Sequence, residues 1–191
     1  MKEEKPFKRA YFNGHNVGNY ISDKLSLPED FLFGLQEEDD WGFVIKTSAL
    51  LETAINESLA KSIKDEVVLE HLIKLNLQGA TGKLPLAKKL ECIHPDLAAL
   101  CKAFAPIRNK FVHSTDYLNL SLNDYIAQMP QSDYDRLFNS LPFTSNKKYE
   151  GPGNELSIKE YFKENPRMGI FLALCNSLVN SFMSDIPQGS A

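Results

Sequence analysis

The chain is 191 residues long, carries a net charge of −4, and contains 43% hydrophobic and 24% charged residues. This balance is that of a globular protein with one core, and its mild acidity argues against a protein that coats nucleic acid with its whole surface. Its three cysteines, Cys92, Cys101 and Cys175, show no paired spacing, which disfavours a disulfide framework and fits a reducing cytoplasm.

Residues 1 to 25 read as an irregular arm, because Asn13-Gly14-His15-Asn16-Val17-Gly18-Asn19 is dense in turn formers and shows no apolar period. Met-Lys-Glu-Glu-Lys-Pro lacks the apolar run of a secretory signal, so none is expected. Ser26-Leu-Pro28-Glu29 matches a capping box and predicts a short helix through Phe31 and Leu35. Asp39 and Asp40 suit the positive end of a long helix in which Phe43, Thr47, Leu50, Leu51, Ala54, Ile55, Leu59 and Ile63 recur at helical spacing. A second helix is predicted over residues 67–77, then a break at Gly79-Ala-Thr-Gly82 and a short helix over residues 84–93 with Lys88 and Lys89 exposed.

Pro95 suits the first turn of the next helix, whose stripe is Leu97, Leu100, Phe104, Ile107 and Phe111, with a kink or restart expected at Pro106. One or two short helices follow over residues 119–141, then a loop over 142–154. Ser157-Ile-Lys-Glu160 is another capping box. Asn165-Pro166 opens a last helix expected to turn Met168, Phe171, Leu172, Cys175, Leu178, Val179 and Phe182 inward. That apolar run is interrupted by Asn176, Ser177, Asn180 and Ser181, so no membrane span or membrane partner is expected. With no convincing alternating strand, the pattern predicts an all-α bundle of about four to five main helices with short accessory ones.

Several chemical signals fail on inspection. Gly79-Ala-Thr-Gly82-Lys83-Leu84 lacks the spacing, the hydroxyl and the preceding strand of a phosphate loop, and reads as a turn between helices. Cys92, His94 and Cys101 lack the ligand number and spacing of a zinc site, so no metal or other cofactor is expected. The single Trp41 and the twelve phenylalanines read as core.

Arg108-Asn109-Lys110-Phe111-Val112-His113 is more informative. At about 100° per residue, Asn109 and His113 lie together nearly opposite the apolar stripe, and Arg108 sits on the flank between. Imidazole titrates nearest neutrality and can move a proton, guanidinium can hold a phosphate bidentately, and an amide can orient either group. With a ribose 2′-hydroxyl, these groups suffice for RNA cleavage without a metal. The spacing alone favours the plainer reading, surface and capping hydrogen bonds near Ser114, Thr115 and Asp116. Ala98, Cys101, Ala105 and Val112 form a flank of mostly small residues on which another helix could pack.

The R-N-x-x-x-H segment near the end of a helix resembles the signature of the HEPN superfamily of helical bundles, found in bacterial toxins, defence proteins and RNA-processing factors. The order Ser48-Ala-Leu-Leu-Glu52-Thr-Ala-Ile55, Gly82-Lys83-Leu84-Pro-Leu-Ala-Lys88-Lys89-Leu90 and Ile107-Arg-Asn-Lys-Phe-Val-His113 resembles the mannitol operon repressor family and its relatives. The resemblance covers about residues 40–115. It implies a single HEPN-like domain over residues 26–186 and a homodimer joining two motifs in one cleft. Arg108 would bind phosphate, His113 would serve as acid or base, and Asn109 would position them, giving a metal-independent endoribonuclease with RNA as substrate and a protein partner such as an antitoxin. The repressor branch implies instead a non-catalytic regulator that docks on protein or RNA. Lys83, Lys88, Lys89, Lys102 and Lys110, with Arg108, outnumber Glu91 and Asp96 in residues 79–113, which predicts a local basic face for RNA on an otherwise acidic body.

Overall fold

The computed structural model describes residues 14–113, 121–142 and 158–183, and every regular element among them is a helix. The protein is an all-α bundle, as the apolar periodicity predicts. Its longest helix, α3 (Asp40–Ser62), starts where Asp39 accepts a hydrogen bond from the Gly42 backbone N–H at 2.6 Å, which satisfies one orphan donor of the first turn. It lies against α6 (Pro95–His113), which in turn packs on α10 (Pro166–Phe182). Phe43, Leu51, Ile55, Leu97, Phe104, Ile107, Leu174 and Phe182 are almost wholly buried in the core these three helices share. Each such side chain contributes roughly 1.5–3 kcal/mol relative to exposure.

Shorter helices close the core. α1 (Gly14–Leu25) packs on α10, α2 (Phe31–Glu37) on α3, and α5 (Lys83–Lys89) on both α3 and α6. α7 (Leu122–Ala127) and α9 (Ile158–Glu164) pack on α10, α8 (Gln131–Asn139) packs on α6, and Phe162 of α9 is fully buried. α4 (Glu66–Leu72) buries no residue. None of the helices of the described residues is long and apolar enough to cross a membrane.

Several expectations need correction. Residues 14–25 are not an irregular arm but α1, and they belong to the same packed body; residues 1–13 lie outside the described residues. The turn formers at the start of α1 obscured the i,i+4 pair Ile21 and Leu25, which the core buries. Ser26 does not cap a helix: it ends α1 in a left-handed conformation (φ 51°), and α2 begins only at Phe31. α4 stops at Leu72, short of the predicted residue 77, and α5 runs over 83–89 instead of 84–93. α6 passes through Pro106 without restarting. Met168 and Leu172 face solvent, because α10 turns Gly169, Ala173, Ser177 and Ser181 inward; small side chains let neighbouring helices approach closely. All of the predicted 142–154 loop but its first residue, and Ser157, fall outside the described residues.

Candidate functional site

The rotation of α6 about its axis is set by its apolar stripe. Leu97, Leu100, Phe104, Ile107 and Phe111 are each at most 1% exposed, and Phe111 meets the Tyr125 ring edge-on at 5.5 Å between centroids. With that face locked, Asn109, Lys110 and His113 emerge into solvent and Arg108 lies half-buried on the flank. Arg108 Nη1 donates to Asn109 Oδ1 at 3.2 Å, which draws the guanidinium toward the face that carries Asn109 and His113. Among the described residues His113 has no hydrogen-bond or ion-pair partner. The capping alternative through Ser114, Thr115 and Asp116 lies outside the described residues.

The same helix end is anchored from behind. Trp41 Nε1 donates to the Phe111 carbonyl at 3.0 Å. That carbonyl belongs to the last described turn of α6. Trp41 is therefore not the core residue its composition suggested: it is 38% exposed and lies beside the motif. Its place one residue after Asp39-Asp40, off the apolar stripe of α3, was the signal available in the sequence. Phe33, at 51% exposed, likewise departs from the core reading.

The basic face is narrower than the sequence suggests. Lys88, Lys89, Lys102 and Lys110 are exposed, but Lys83 is 1% exposed and pairs with Glu52 of α3. Its Nζ also donates to the Ile73 carbonyl at 3.1 Å. The Gly79–Gly82 turn directs it inward: Gly79 adopts φ 100°, Gly82 N–H donates to the Gly79 carbonyl, and Lys83 N–H donates to the Asn76 carbonyl. An ammonium at the positive end of a helix is unfavourable, and Glu52 offsets it. Lys83 is thus a structural clamp and does not belong to an RNA-binding face.

The small-residue flank is also partly occupied. Ala98 and Cys101 are buried, and Gln78 Nε2 donates to the Cys101 carbonyl at 3.0 Å, while Ala105 is half-buried and Val112 is 40% exposed. Burial pushes the Cys101 and Cys175 thiols up to about 12 and raises Cys92 above its ordinary range, so none is a ready thiolate nucleophile near neutral pH. His94 is held at the start of α6, where its Nδ1 accepts from the Asp96 backbone N–H at 3.2 Å and its own backbone N–H donates to Ser181 Oγ. Among the described residues, no three His, Cys, Asp or Glu side chains are grouped for a metal ion.

The arrangement thus puts an imidazole, a guanidinium and an amide on the last two described turns of α6, with Lys110 exposed among them. No protein-family profile matches the chain, and no curated protein or solved structure matches it.

Proposed function

We propose that the C-terminal end of α6 is the half-site of an endoribonuclease that cleaves RNA by internal 2′-hydroxyl attack and needs no metal. The observation that supports this reading most directly is the joint presentation of Arg108, Asn109 and His113 on a solvent-facing helix end, with Arg108 already drawn toward Asn109. The resemblance to HEPN proteins points the same way.

Arg108 holds the scissile phosphate and stabilises the charge that gathers on its oxygens during attack. An imidazole takes the 2′-hydroxyl proton as that oxygen bonds to phosphorus. A second acid protonates the departing 5′-oxygen as the P–O bond breaks, leaving a 2′,3′-cyclic phosphate and a 5′-hydroxyl. Each chain offers one imidazole at this place, so base and acid together call for a two-fold pair of chains with their α6 ends apposed.

The test is incubation of the purified protein with RNA in EDTA. The expected outcome is cleavage to cyclic-phosphate ends by the wild type and loss of cleavage in His113→Ala. Loss of activity in chelator, or equal activity in His113→Ala, would overturn the reading. RNA or protein binding without cleavage would instead point to a docking regulator of the repressor kind.

A further inference from the structure

We propose that Trp41 is a stacking platform for an unpaired base, so that the RNA taken by the α6 end is single-stranded where it binds; this rests on the ribonuclease reading above. Trp41 is the only tryptophan in the chain, and the residue is left 38% exposed while Phe43, two residues on, is fully buried. Its N–H is committed to the Phe111 carbonyl at 3.0 Å, which fixes the edge of the ring. Fixed orientation is what a stacking surface needs, since little side-chain freedom is lost when a base settles on it.

The position along α6 is informative. Phe111, whose carbonyl holds the indole, follows Arg108 by three residues and precedes His113 by two, so it lies within about 5 Å of both along the helix axis, at roughly 1.5 Å rise per residue. Around the axis, Arg108 is only about 60° from Phe111 whereas His113 is about 160° away. The backbone that holds the indole is therefore on the Arg108 side of the helix. A nucleotide whose phosphate rests on Arg108 can lay its base on Trp41, with Val112, 40% exposed, extending the apolar floor.

The carboxylates around Trp41 do not oppose this strongly, because they are engaged. Asp40 is bound to Arg167 at 2.8 Å and to the Leu122 N–H at 2.7 Å, Asp39 caps Gly42, and Glu38 pairs with Lys46. Base faces in a duplex are already stacked, so a paired strand offers the indole nothing, whereas a loop or single strand does.

The lone tryptophan makes the test direct. A short mixed-sequence RNA, single-stranded or annealed to its complement, is titrated in EDTA into the full-length His113→Ala protein while Trp41 emission is followed. Saturable quenching by the single strand, and at least tenfold weaker quenching by the duplex, is the expected result. Binding of labelled RNA by anisotropy should weaken about 5- to 150-fold in Trp41→Ala, the range that loss of one stacked base gives. Trp41→Phe keeps a ring and should lose less than Trp41→Ala, which separates stacking from loss of the hydrogen bond to Phe111. Emission unchanged at RNA saturation, or equal affinity in wild type and Trp41→Ala, overturns the proposal. Quenching by RNA that the wild type never cleaves would sink the nuclease reading and keep this one. Cleavage by Trp41→Ala at wild-type kcat/KM would do the reverse.

Discussion

Lys83 and Arg108 belong to the same basic stretch of sequence and end in opposite circumstances. Lys83, at the first turn of α5, is drawn inside by a glycine turn and neutralised by Glu52; Arg108, near the last turn of α6, keeps its guanidinium at the surface beside Asn109. The difference teaches that local charge density says little until the fold decides which cations the core consumes. One end of this basic stretch became scaffold, and the other stayed at the surface.

The sharpest way to break that comparison is to exchange readouts. His113→Ala should reduce RNA cleavage by about 10²–10⁴-fold, as loss of a general acid or base does. Its unfolding midpoint in urea should stay that of the wild type, because the side chain is exposed and unpaired among the described residues. An unstable His113→Ala protein would show that the α6 end is scaffold too. Glu52→Ala should do the opposite. It leaves a buried ammonium with only the Ile73 carbonyl, costing about 3 kcal/mol in urea melts, whereas Lys83→Met removes the charge as well and should cost less. Equal costs for the two would mean that Lys83 regains water when Glu52 is gone.

Gly82→Ala probes how the turn forces Lys83 inward. A Cβ there would sit 2.6 Å from the Gln78 carbonyl oxygen and 2.9 Å from that of Asn76, both backbone atoms, so the substitution should cost about 2 kcal/mol by overpacking. Calorimetry that shows no loss would mean the turn can shift without releasing the clamp. The smallest effect concerns pH. Burial raises the Cys101 and Cys175 thiols from an ordinary 9.0 to about 12, so both are protonated in the folded and unfolded chain below pH 9. As pH rises from 9 toward 12 only the unfolded chain ionises them, so the folded state loses stability across that window. Urea melts at pH 8 and pH 10 should show this decline, and a Cys101→Ala, Cys175→Ala double variant should show less of it.

Much of the fold was legible because it is written in local pattern. The α3 and α6 stripes, Pro95 and Pro166 at helix starts, Asp39 as a cap and the Gly79–Gly82 turn all follow from periodicity and backbone restriction acting within a few residues. α1 was illegible because its helix depends on burying Ile21 and Leu25 against α10, a partner more than a hundred residues away, which overrides four poor helix formers. The inward face of α10 was misread for a related reason: serines there are buried because close helix approach excludes larger groups, a constraint set by the neighbour. In the site, the common face of Asn109 and His113 came from helix geometry alone, whereas Trp41 came from a contact between residues seventy apart.

By itself, then, the sequence determined an all-α class, the long helices and the angular relation of Arg108, Asn109 and His113, since these depend on a 3.6-residue period and nothing distant. Only the tertiary structure decided that Lys83 is a clamp, that Ala98 and Cys101 are covered, and that Trp41 is bonded to the Phe111 carbonyl. Burial and pairing are properties of neighbours brought together across the chain, and no local spacing encodes which neighbour arrives.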